Sequence, residues 1–87
     1  MLRLTELRFT KHATEKFALL SRFGFLVSKD EVIAAIAEPE RIERRGKQIL
    51  STKMLDETYA VRVVHEERER VIIVITFYPF RRERYGL

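Results

Sequence analysis

Two runs in the last third of the chain decide the fold: Thr58-Tyr59-Ala60-Val61-Arg62-Val63-Val64-His65-Glu66 and Arg70-Val71-Ile72-Ile73-Val74-Ile75-Thr76-Phe77-Tyr78. Both are rich in β-branched and aromatic residues, which pack well on a pleated surface. Side chains alternate across a strand, so Tyr59, Val61, Val63 and His65 share one face, and Val71, Ile73, Ile75 and Phe77 share the matching one. These odd positions are the expected core. An odd-numbered loop would join them, with Val61 opposite Ile73 and Val63 opposite Val71. A slip of one residue would instead put Val61 opposite Val74 and exchange the faces. The even positions (Ala60, Arg62, Val64, Ile72, Val74, Thr76, Tyr78) are half apolar and half polar, a mixture suited to a shallow ligand or partner surface.

Working outward, Arg41–Arg45 and Lys47–Met54 read as two further strands, divided by Gly46, with connections at Asp56–Glu57 and Glu67–Glu69. Four strands in succession make a meander. Upstream, Ser28-Lys29-Asp30-Glu31 has the pattern of a capping box, and Val27 with Val32 can staple the same helix start. Val32, Ala35 and Ile36 share a face, and Pro39 ends the helix, which spans Lys29 to Ala37. Before it, Thr10 is an N-cap for a helix to Phe23 with an apolar stripe of Ala13, Phe17, Leu19, Leu20 and Phe23. Gly24 and Phe25 then fit a Schellman ending. Leu2, Leu4, Leu7 and Phe9 predict a short first strand from about Leu4 to Phe9. The expected architecture is α+β: a short N-terminal strand, then two helices packed on one face of a four- to five-stranded antiparallel sheet.

With 87 residues, the chain is expected to form one domain around one core. Its 34% charged residues and the absence of a long apolar run argue against a membrane span, and no signal-peptide core precedes Phe9, so a cytoplasmic location is expected. There is no cysteine, which removes disulfides, thiolate nucleophiles and cysteine-based metal sites. His12 and His65 lack paired metal-ligand spacing, so neither a metal nor a cofactor is expected. The glycines, Gly24, Gly46 and Gly86, form no phosphate-binding loop. Absence of Asn and abundance of Glu, Arg and Lys give a thermophile-like composition.

The net charge is +4, and the basic residues gather at Arg41, Arg44, Arg45 and Lys47 and again at Arg81, Arg82 and Arg84. Such clusters favour a polyanion, because binding releases counterions condensed on phosphates; a solvated surface of ion pairs is the plainer reading. Metal-free RNA cleavage needs a base for the 2′-hydroxyl, an acid for the leaving oxygen and cations for the charge on phosphorus. Arg62, His12 or His65, Tyr78, Tyr85, Arg81 and Arg82 could fill those roles, and arginine suits phosphate because its planar fork stays charged. Each has a structural alternative. His12 can bond locally, His65 has core parity, Arg62 can pair with a Glu, Tyr78 and Phe80 can cover a sheet edge, and Arg81-Arg82-Glu83-Arg84 can be a solvated tail.

Five short motifs in order, Phe9-Thr10-Lys11-His12-Ala13 with Lys16-Phe17, Gly24-Phe25 with Ser28 and Glu31-Val32, Ala35-Ile36 with Pro39-Glu40, Arg62-Val63-Val64, and Val74-Ile75-Thr76 with Tyr78, resemble a prokaryotic family of small domains of unknown function. That family is grouped with the RelE/ParE-like toxin superfamily. The resemblance spans about residues 7 to 78. It implies a toxin paired with an acidic antitoxin protein, and either of two activities. RelE-like members cleave RNA at the ribosome without metal; ParE-like members inhibit gyrase without cleaving anything. On the first reading, Arg62, His12 and Tyr78 are the catalytic candidates, with Thr76, Arg81, Arg82 and Arg84 binding RNA. The alternatives are a non-catalytic interaction domain that binds gyrase or an antitoxin, and a regulatory nucleic-acid-binding domain.

Overall fold

Thr10 is the joint between the first strand and the first helix, and its side chain serves both. Its hydroxyl oxygen accepts from the Ala13 amide at 3.1 Å, capping the helix, while the hydroxyl donates to the Ile75 carbonyl at 3.0 Å on the last strand. The computed structural model describes residues 6–86, so the expected strand start at Leu4 lies outside the described residues. Within them the order is β1 (Glu6–Phe9), α1 (Lys11–Arg22), α2 (Lys29–Ala37), β2 (Arg41–Arg45), β3 (Gln48–Met54), β4 (Tyr59–Arg68), β5 (Val71–Arg81) and a 3₁₀ turn (Arg82–Tyr85).

The helix signals form as the sequence predicts. Phe25 N–H donates to Leu20 and Gly24 N–H to Ser21, the two bonds of a Schellman ending, with Gly24 at φ +83 where a side chain would be strained. Ser28 and Glu31 exchange both bonds of the capping box, and Val27 and Val32 are buried together. The α1 stripe is narrower than expected. Ala13 is buried and Phe17 and Leu20 pack on the core, but Leu19 is 44% and Phe23 73% exposed. At about 100° per residue both fall well round the helix from Ala13, on a flank that the sheet does not reach.

The sheet order is β1-β5-β4-β3-β2. Strands β2 to β5 form the expected antiparallel meander, but β1 lies parallel to β5, Leu7 beside Ile72 and Phe9 beside Val74. The sheet is therefore mixed, not wholly antiparallel. This is possible because two helices and three strands intervene, ample chain to return in the same direction.

The expected β4–β5 register does not form. Both strands run longer than predicted, and a two-residue turn, Glu69 and Arg70 at φ +48 and +70, joins Arg68 to Val71. Val61 lies opposite Pro79 and Val63 opposite Phe77. The ladder also shifts between His65↔Val74 and Val64↔Thr76, leaving Ile75 as an extra residue, a β-bulge. One inserted residue exchanges the faces of β5. On β4 the odd positions Val61, Val63 and His65 are buried as expected, whereas on β5 the core takes Ile72 and Val74 before the bulge and Phe77 after it.

Both helices cover the face bearing Val61, Val63, Ile72, Val74 and Phe77. Ala13, Val32, Ala35 and Ile36 meet them, and Phe17 lies between the rings of Phe9 and Phe77 at 5.9 and 4.5 Å. Burial of each such side chain contributes about 1.5–3 kcal/mol. No described helix crosses the other face, which is left for the residues considered next.

Candidate functional site

Beyond the bulge, alternation places Arg62, Val64, Thr76, Tyr78 and Phe80 on the helix-free face, with Arg62 paired to Tyr78 and Val64 to Thr76. Register carries the pattern on to β3 and β2, adding Thr52 beside Arg62, and Arg41 beside Thr52. The sequence therefore places Arg62, Thr76 and Tyr78 together correctly, although the pairing that produces this differs from the expected one.

Arg62 is only 5% exposed and its guanidinium is engaged on several sides. Nε donates to Thr52 Oγ1 at 3.3 Å, Nη1 donates to Tyr78 Oη at 3.4 Å, and Nη2 lies 3.7 Å from Glu43 Oε1. The Phe80 ring sits 5.3 Å from the guanidinium carbon. A buried cation needs such partners, because an uncompensated one would be far too costly. Thr52 and Glu43 escape a local reading of the sequence, since only the pairing of separate strands brings them to Arg62.

His12 joins this face from the edge. β1 pairs with β5 only as far as Phe9↔Val74, and past that point the first turn of α1 occupies the place of the strand. The exposed His12 ring puts Nε2 3.2 Å from Thr76 Oγ1. The bulge has a part in this contact, because Thr10 fixes the helix start to the Ile75 carbonyl immediately before Thr76.

The C-terminal arginines go elsewhere. Arg81 pairs with Tyr59 on the opposite face and stands 6.0 Å over its ring. Arg82 Nη1 donates to the Asp56 carbonyl at 2.9 Å, and Arg84 is exposed on the 3₁₀ turn. They frame the β3–β4 turn rather than Arg62. In that turn the Asp56 carboxylate accepts from the Tyr59 and Thr58 amides at 2.7 and 2.8 Å, and these bonds hold its pKa below the usual value. The segment is thus folded back, not a free tail.

His65, the other histidine, lies on the helix-covered face. It is 3% exposed, and its Nε2 is 2.9 Å from the buried Ser51 Oγ. Nδ1 has no partner among the described residues, so the neutral tautomer with hydrogen on Nε2 avoids a buried unpaired donor. Burial pushes the imidazole below the usual histidine range; nearby Glu67 opposes this and Arg44 adds to it. It is a structural pair away from the Arg62 face.

The chain matches no protein-family model, no curated protein and no solved structure.

Proposed function

We propose that the chain is a RelE/ParE-like toxin whose helix-free sheet face binds and cleaves RNA without a metal, and that an acidic antitoxin protein restrains it. One observation carries the reading: a histidine on a threonine hydroxyl, and a tyrosine hydroxyl on an arginine, stand at neighbouring positions of one sheet face. In the reaction, the RNA 2′-hydroxyl attacks phosphorus and the bond from phosphorus to the 5′ oxygen breaks, leaving a 2′,3′-cyclic phosphate. His12 takes the proton of the 2′-hydroxyl, and Tyr78 gives one to the 5′ oxygen. Arg62 places positive charge beside Tyr78, where charge develops on the phosphate. Thr76 orients the imidazole, and Arg84, exposed past the end of β5, can hold a more distant phosphate, whereas Arg81 faces away over Tyr59 and Arg82 is taken up by the Asp56 carbonyl. Support comes from the resemblance, the basic balance and this grouping.

A non-catalytic reading, gyrase-inhibitor-like or antitoxin-binding, is favoured by a different observation. Arg62 is already engaged by Glu43 and nearly sealed, so phosphate reaches it only if Glu43 moves aside. One experiment separates the two. Purified protein is incubated with RNA at low salt in EDTA beside the His12→Ala and Tyr78→Phe variants. Neither change removes core packing, so each is expected to slow cleavage by about 10²–10³-fold with the fold intact. Folded wild-type protein that neither cleaves nor binds RNA, yet binds a protein partner, would overturn the ribonuclease reading.

A further inference from the structure

The flank of α1 that the sheet does not reach continues into the loop before α2 as an apolar ridge. Leu19, Phe23 and Leu26 follow one another along it, and the last two are 73% and 84% exposed. Large apolar side chains in a contiguous exposed row mark an interaction surface. The ridge is also rigid. Phe23 caps α1, the Schellman bonds fix Gly24 and Phe25, and Phe25 stacks edge-on against Tyr59 at 5.2 Å. A surface already ordered loses little entropy on docking.

Charge identifies the occupant. Around Leu19 the flank carries Lys16 and Arg22, neither of which has an ion-pair partner among the described residues, and Glu15, whose charge is offset by Lys11 at 4.0 Å, so the balance at this end is basic. At the other end, Phe23 and Leu26 border a groove that also holds Glu31 and Asp56. Glu31 Oε1 and Asp56 Oδ1 accept hydrogen bonds within the chain, while the second oxygen of each accepts none among the described residues. One end is thus basic, the other acidic, and the middle apolar. A twofold axis sets residue i against j and j against i, so a surface of this kind is complementary to itself when turned end for end.

We propose that this ridge is a homodimer interface, with Phe23 and Leu26 near the twofold axis and Lys16 and Arg22 of each copy facing Glu31 and Asp56 of the other. A small specific interface covers about 600 Å² per copy, a tenth of the 6144 Å² surface. His12 lines the same hollow as Lys16, Leu19 and Arg22, so the second copy comes up to the His12 edge of the helix-free sheet face.

Sedimentation velocity over micromolar to millimolar protein, in low and high salt, tests this. Wild-type protein is expected to reach a dimer that weakens with salt, since the charged pairs are solvent-exposed. Leu26→Asp should raise the dimer dissociation constant at least tenfold, as loss of a central apolar contact does. Lys16→Glu with Arg22→Glu, on the outer helix surface, should weaken it as well and reverse the salt dependence, since added salt now screens repulsion from Glu31 and Asp56. Phe23→Ser serves as a second apolar variant, and circular dichroism confirms that each is folded. A wild-type monomer throughout the range overturns the proposal. So does a dimer that these variants leave unchanged, or a ridge that binds only a different protein.

Discussion

The two halves of the β4–β5 ladder obey opposite rules. Between the bulge and the hairpin, β5 turns Ile72 and Val74 to the helices; beyond the bulge it turns Phe77 to them and shows Thr76 and Tyr78 on the other side. From Thr76 to Pro79 the second half alternates polar with apolar and is legible in sequence. The first, Val71-Ile72-Ile73-Val74-Ile75, is apolar at every position, so alternation carries no information there. A periodic pattern reports which face is which only where the two faces meet different surroundings.

Deleting Ile75 would break that difference most completely. It forces both halves into one register, so either Ile72 and Val74 or Phe77 must leave the core. Expelling Ile72 and Val74 costs about 3–6 kcal/mol at the value above, comparable to the lower end of the usual margin of about 5–15 kcal/mol, so the variant should be unfolded or close to unfolding in the absence of urea. Ile75→Ala keeps the residue count and truncates a half-buried side chain, so a loss of about 1–2 kcal/mol is expected in urea titrations. Similar losses from the two variants would show that register does not depend on the bulge.

The next effect sharpens the second half alone. Arg62→Ala removes a buried cation from Thr52, Tyr78 and Glu43 and should cost about 2–3 kcal/mol, less than a fully buried pair because the Glu43 side chain is 38% exposed. Arg62→Met, which keeps the apolar stem volume, should cost less. Equal melting temperatures for wild type and Arg62→Ala would show that the engaged guanidinium contributes nothing to folding.

On the hairpin side, Glu69 and Arg70 both occupy left-handed backbone that favours Asn and Gly. Glu69→Asn with Arg70→Gly should therefore stabilise the protein by about 1 kcal/mol, read as a raised urea midpoint. No gain would mean that the turn is held by contacts of the original side chains.

The smallest effect is a pH dependence from His65, the last β4 residue before the bulge. Burial disfavours the charged imidazole in the folded protein and lowers its pKa from 6.5. The unfolded chain binds the proton more readily, so the stabilisation is complete above about pH 6.5 and declines as pH falls below it. Urea midpoints at pH 7.5 and 5 should fall for wild type more than for His65→Gln. An identical decline would assign the dependence to other groups.

Where local chemistry punctuates the chain, the sequence is sufficient. α2 runs from Lys29 to Ala37 as read, because Ser28, Glu31 and Pro39 each act on their own neighbours. The β4–β5 turn lacks such a mark, since Glu69-Arg70 contains neither Asn nor Gly, and it lies past the connection expected at Glu67–Glu69. The direction of β1 was equally hidden; a four-residue strand looks the same in parallel and antiparallel pairs. Among site residues, Arg62, Thr76 and Tyr78 could be grouped because alternation holds beyond the bulge. His12 meets Thr76, and Glu43 meets Arg62, through pairings between distant segments, which no local spacing records.

The parallel β1–β5 pair also sets an order of events. Glu6 pairs with Val71, so the first strand described is completed by a strand synthesised well after it, beyond both helices and the rest of the sheet. The meander from β2 to β4 closes through short loops and can assemble as it leaves the ribosome, whereas β1 must wait for β5, and Thr10 for the Ile75 carbonyl. Until then Leu7 and Phe9 have no sheet to join, and β1, though made before the meander, is fixed in place after it.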